Sequence, residues 1–228
     1  MKKILLLLVF PYCLIGQSWN QIGLDIDGEA AGDINGCKLS MNGNGKIIAI
    51  GAQNNNGGGI GTYTGHVRVY KNNNGSWIQL GDDINGVAPS DNFGCSSSLS
   101  DDGSIVAIGA TGNDGNGNLS GQVRVYQYDG SSWNQLGQDI DGENIFDRSG
   151  FSISLSSNGH ILAIGAIEND DNGSDAGHVR IYEYINSSWN QVGWDIDGEA
   201  SGDKSGYSVS LNNNGNIECP YHGWAFNC

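Results

Sequence analysis

The spacing Asp25-x-Asp27-Gly28 followed by Asp33 recurs three more times along the chain. It reappears as Asp83-x-Asn85-Gly86 with Asp91, Asp139-x-Asp141-Gly142 with Asp147, and Asp195-x-Asp197-Gly198 with Asp203. Side-chain oxygens at i, i+2 and i+8 are hard donors of the kind calcium takes. Ile26, Ile84, Ile140 and Ile196 lie between the acids and are expected to point inward while the acids point out. A structural task fits the same residues: Asp accepts hydrogen bonds from loop N–H groups, and a structural role also predicts identical spacing in every unit. Hydrogen bonding is the preferred reading and calcium the alternative.

Other chemistry-bearing residues recur in step. Arg68, Arg124 and Arg180 sit in mid-strand between apolar neighbours, where a buried guanidinium needs an anion. A repeated aspartate on an adjacent unit is the expected partner. His66 and His178 share one position, but Gln122 stands there in the unit between them. That exchange favours a hydrogen bond at a strand edge over metal binding or catalysis. No Ser/His/Asp or Cys/His nucleophile constellation suggests itself, and the chain reads as non-enzymatic. Cys37, Cys95, Phe151 and Tyr207 each follow the equivalent Gly of their unit, which suits an apolar core position.

Three registers of self-similarity position these residues. Trp19, Trp77, Trp133 and Trp189 open the phrases W-N-Q-I-G, W-I-Q-L-G, W-N-Q-L-G and W-N-Q-V-G, 56 to 58 residues apart. Apolar runs I-I-A-I-G-A, I-V-A-I-G-A and I-L-A-I-G-A begin at Ile47, Ile105 and Ile161. H-V-R-V-Y, Q-V-R-V-Y and H-V-R-I-Y begin at 66, 122 and 178. In the third unit F-S-I-S-L alternates as a two-faced strand should, and Asn158-Gly159 supplies a tight hairpin turn. The apolar run that follows suits a strand buried on both faces. Four short strands in this length match one blade of a β-propeller, which buries its faces only against neighbours. The predicted fold is all-β: tandem four-stranded antiparallel blades at 18–75, 76–131 and 132–187, with a partial fourth at 188–217.

The order of phrases resembles the FG-GAP repeat family, which includes bacterial surface proteins and is similar to the integrin α-chain propeller. Phe93-Gly94 and Gly109-Ala110 carry the naming dipeptides, Gly51-Ala52 and Gly165-Ala166 repeat the second, and residues 170–177 fit the long loop. The resemblance runs from about 18 to 217. Two departures stand out. Relatives close with about seven blades, so the expectation here is an open fragment, a partner-completed assembly or an incomplete gene product, with self-association possible through open blade faces. Many relatives also hold calcium in a D-x-D-x-D-G turn between the first two strands. Here that place holds only 41–45, 100–103 or 156–159, too short to supply six to eight oxygens.

The two ends read differently. Lys2 and Lys3 precede an apolar run at 4–10, and Gly16 offers a small residue for cleavage, so 1–16 is predicted to be a signal peptide and the protein secreted or held at the cell surface. The run is too short to span a bilayer. At 218–228 the repeat stops, and C-P-Y-H-G-W resembles the second ligand box of Rieske iron–sulfur oxygenases. By that resemblance Cys219 and His222 are half of a cluster site. A Rieske centre takes two Cys and two His, and Cys13, Cys37 and Cys95 have no His two residues on. No 2Fe-2S cofactor is therefore expected.

Ten Lys and Arg against 25 Asp and Glu leave a net charge of −15, which disfavours nucleic acid and anionic membranes alike. The leading expectation is a non-catalytic surface or secreted propeller that binds a protein or glycan. The loops at 53–64, 111–120 and 168–176 are the contact points, with Asp114, Asp170, Asp171 and Asp175 as candidate binding residues. A Rieske oxidoreductase fragment joined to propeller repeats and a structural segment of a larger adhesin are the alternatives.

Overall fold

A computed structural model describes residues 20–212 and the strand residues 217–218 and 225–226. Gly- and Asn-rich turns cut the chain into short strands. The first sheet holds Lys38–Met41 (β1), Ile47–Ala52 (β2), His66–Asn73 (β3), Ser76–Gln79 (β4) and Ile84–Asn85 (β5). The second holds Phe93–Leu99 (β6), Ile105–Ala110 (β7), Gln122–Tyr128 (β8), Trp133–Gln135 (β9) and Ile140–Asp141 (β10). The third holds Ser152–Leu155 (β11), Ile161–Ala166 (β12), His178–Ile185 (β13), Ser188–Gln191 (β14) and Ile196–Asp197 (β15). Ser210–Leu211 (β16), Ile217–Glu218 (β17) and Ala225–Phe226 (β18) make a small fourth sheet, with Phe226 opposite Ile217. Residues 1–16, Cys219 and His222 lie outside the described residues. No helix of the described residues is long and apolar enough to cross a membrane.

Within each of the first three sheets four strands run antiparallel, β1-β2-β3-β4 in the first. The long third strand serves two partners, because one half of it pairs with the Trp strand and the other with the D-x-D segment. Tyr70 lies opposite Gln79 of β4, and Val67 opposite Ile84 of β5. The Trp-to-Trp count of the sequence therefore runs in a different phase from the hydrogen bonding: the strands of Trp77, Trp133 and Trp189 belong to the first, second and third sheets, with the strands that precede them.

The core lies between sheets rather than within them. Val67, Val69 and Ile84 of the first sheet meet Phe93, Val106 and Ile108 of the second. On its other face the second sheet presents Val123, Val125 and Ile140 to Leu155, Leu162 and Ile164 of the third. This is the architecture of stacked blades in a partial propeller, and it explains the naming dipeptides physically. Gly51 of one blade faces Gly94 of the next so closely that a Cβ would sit 2.2 Å from the Gly94 carbonyl oxygen. Gly109 meets Gly150 in the same way, and Gly165 meets Gly206. Polar ties repeat with equal regularity: Ser40, Ser98 and Ser154 each accept a hydrogen bond at 2.9 Å from the backbone N–H of Leu99, Leu155 and Leu211 in the following sheet. The indole N–H groups of Trp77, Trp133 and Trp189 donate back to the carbonyls of Ile22, Leu80 and Leu136.

Candidate functional site

The connection from second to third strand leaves every sheet at the same end, so the three long loops gather there with the D-x-D segments. Each loop is shaped by a buried Asn. The Oδ1 atoms of Asn55, Asn113 and Asn169 accept hydrogen bonds from the N–H groups of Gly57, Gly115 and Asp171, two residues on, as Asx turns do. The Nδ2 atoms of Asn55 and Asn169 then donate to Asp33 and Asp147 at 3.0 and 3.2 Å. Asp114 and Asp170 hold their own loops, each accepting the N–H five residues on at 2.8 Å. Asp175 lies 3.9 Å from the Lys204 ammonium, and Asp171 accepts a long contact from Asn169.

The repeated acids divide their work. The last member, Asp33, Asp91, Asp147 or Asp203, accepts the N–H three residues back at 2.8–3.0 Å. Burial pushes the Asp147 carboxyl above its ordinary value. The first member, Asp25, Asp83, Asp139 or Asp195, accepts the side-chain amide of the Gln in the W-x-Q phrase at 2.6–2.8 Å. Middle members differ: Asp141 accepts from Gln122 at 2.7 Å, Asp27 offers its backbone carbonyl to Arg68, and Asp197 is exposed. The structure thus spreads the i, i+2, i+8 acids over separate partners. They are absent as a triad from the metal-capable groupings among the described residues.

What it brings together instead was not legible as a site in the acid spacing. Glu29, His66 and Asp83 converge, as do Glu143, Asp171, His178 and Asp195. The histidine and first aspartate come from one sheet, and the glutamate from the segment before it. One sequence signal does point to this set. The unit with Gln122 in place of His also has Val87 in place of Glu, so the two residues are present or absent together.

The histidines correct the strand-edge expectation. His66 and His178 are 1% and 2% exposed, and neither nitrogen of His66 nor Nδ1 of His178 has a hydrogen-bond partner. The Nδ1 atom of His66 lies 3.5 Å from Asp83 Oδ2 and 3.7 Å from Glu29 Oε2, too long for good hydrogen bonds. Burial holds the His66 ring below its ordinary pKa, against the pull of Asp83.

Two of the arginines take the repeated aspartate of the next sequence unit, as expected, and strand pairing folds that segment back onto the arginine's own sheet. Arg124 forks onto Asp139 of its own sheet at 3.0 and 2.8 Å. Arg180 does the same with Asp195 at 3.1 and 2.8 Å, and it also touches Glu143 from the segment before its sheet. Arg68 breaks the pattern by donating to the Asp27 carbonyl at 2.9 Å and to Asn35 Oδ1 at 3.4 Å. The Cys position is not uniformly core either: Cys37 and Cys95 are free thiols, Cys95 is buried, and Tyr207 is 64% exposed against Phe151.

Beside the third-sheet cluster a cleft of about 470 Å³ is lined by Glu143, Arg180, Gln191, Trp194, Asp195 and Asp197. Trp194 stands at its lip, 95% exposed. The equivalent residues are Leu24, Asp82 and Gln138, so the repeat itself gives no cue to an aromatic there.

Fold and repeats together define a partial β-propeller. A family model of the FG-GAP repeat matches residues 85–126, from the end of β5 in the first sheet through β6 and β7 into β8 of the second. A comparison with curated proteins finds no match. Among solved structures, a candidate 6-phosphogluconolactonase from Bacteroides uniformis is 13% identical with a TM-score of 0.52, covering 83% of this chain and 52% of its own. The hydrazine synthase of Kuenenia stuttgartiensis is 12% identical with a TM-score of 0.51, covering 86% and 44% respectively. These likenesses concern the fold alone, and the chain spans about half the length of the structures it resembles.

Proposed function

We propose that this protein is an exported, non-catalytic propeller-repeat scaffold that binds a glycan at the loop end of its blades. The cleft under Trp194 carries the reading. An indole that stands almost wholly in water costs solvation unless something flat and apolar covers it, and the C–H face of a sugar ring is such a surface. The carboxylates of Glu143, Asp195 and Asp197 and the amide of Gln191 line the same cleft and suit the hydroxyl groups of that ring. Arg180 fixes Asp195 and Glu143 in place, so the acceptors are set before a ligand arrives.

Export is supported by Lys2, Lys3 and the apolar run at 4–10, and a net charge of −15 suits a solvated surface protein. A glycan array probed with the full chain and with Trp194→Ala tests the reading. The expected result is selective binding that the substitution weakens about tenfold or more, a loss of roughly 1.4 kcal/mol of aromatic contact. Binding unaffected by the substitution, or no glycan bound, would overturn it.

A further inference from the structure

The geometry points to a divalent transition-metal site of the zinc class at Glu29, His66 and Asp83, on the first sheet and distinct from the glycan cleft. Two donors each about 2.1 Å from a tetrahedral ion lie about 3.4 Å apart. The His66 Nδ1 separations of 3.5 and 3.7 Å to Asp83 and Glu29 are too long for hydrogen bonds and close to that value. The ring is 1% exposed and has no hydrogen-bond partner, yet Nδ1 faces two carboxylates. A buried polar group left in this way costs free energy unless something binds it.

The surrounding atoms are those a bound ion would use. Gln79 donates to Asp83 Oδ1 at 2.7 Å and Asn55 donates to Glu29 Oε2 at 3.2 Å, so both carboxylates have outer partners that orient them. One imidazole and two carboxylates suit zinc, cobalt or nickel, whereas calcium takes six to eight oxygens. Three protein donors leave a fourth position for water or for a group of a partner. Glu29 is half-exposed, which gives the ion a way in.

The other copies of the position show why this one alone is assigned. At the third sheet the guanidinium of Arg180 already bridges Glu143 and Asp195. At the second, Gln122 replaces the imidazole, Val87 replaces the glutamate, and Arg124 holds Asp139. Only at the first does the arginine turn away, drawn to the Asp27 carbonyl and to Asn35. Asn35 has no counterpart, since Phe93, Ser149 and Ser205 stand at its equivalents.

The test is calorimetric titration of the chelator-treated full chain with zinc chloride, repeated with cobalt to read the ligand type optically. One equivalent bound through nitrogen and oxygen is expected. His66→Gln, the residue the second unit uses, should weaken binding by more than about 100-fold, beyond the usual loss for an outer partner. Asp83→Asn provides the same readout should His66→Gln not fold, and His178→Gln should leave the stoichiometry at one. The assignment fails if the wild-type chain takes up no zinc or cobalt, or if calcium alone binds. It fails equally if His66→Gln and Asp83→Asn bind as the wild type does, or if a cobalt–thiolate band that Cys219→Ser abolishes accounts for all uptake.

Discussion

The first and third sheets use the same strands, the same histidine and the same aspartate, and they resolve the charge between them in opposite ways. At the third sheet the protein supplies its own cation, Arg180, to the carboxylates of Asp195 and Glu143. At the first, Arg68 lies one register step from His66 yet donates to a carbonyl and an amide oxygen. Asp83, Glu29 and His66 are left facing one another. Arg68 donates to the Asp27 carbonyl at 2.9 Å and to Asn35 Oδ1 at 3.4 Å, and Asn35 is a residue that differs between the two units at this position.

Arg180→Met should break the third-sheet arrangement with the largest effect on stability. Removing one partner of a buried pair costs about 3–5 kcal/mol, but Asp195 and Glu143 are 21% and 40% exposed, so about 1–3 kcal/mol is expected by urea denaturation. Arg68→Met should cost under about 1 kcal/mol in the same assay, since no carboxylate loses its partner. If the two variants lose equal stability, the contrast between the sheets is wrong. The Arg180→Met chain should also take up a second equivalent of zinc, because Glu143, His178 and Asp195 then match the first set.

Asn35→Ser sharpens the comparison from the other side. Serine is the residue of the third and fourth units, and it should release Arg68 toward Asp83, weakening zinc about tenfold, or roughly 1.4 kcal/mol, in the same titration. The smallest effects are expected where the sheets are alike. Ser40→Ala, Ser98→Ala and Ser154→Ala each leave one inter-sheet N–H unpaired and should each cost about 1 kcal/mol. Unequal losses among the three would show that the inter-blade contacts are less equivalent than their geometry.

Much of the fold was legible because its causes are local. The run I-V-A-I-G-A announces a strand covered on both faces, and Ile105 to Ala110 is buried throughout. The D-x-D acids were visible as a pattern, but their arrangement was not. Whether Asp25, Asp27 and Asp33 meet depends on where Gln21, Arg68 and Asn55 reach, and those lie on other strands and loops. Glu29 and Trp194 were missed for a related reason: neither belongs to a repeated phrase in every unit, and each matters through a neighbour distant in sequence.

By itself the sequence determined the strand order within a unit, the blade period and the net negative charge, because turn chemistry and hydrophobic alternation act over a few residues. Only the tertiary structure decided which carboxylates share a histidine and which share an arginine. That choice rests on distances of a few ångströms between side chains carried by different strands and segments, where Arg68 donates to the Asp27 carbonyl and to Asn35 Oδ1 rather than to a carboxylate.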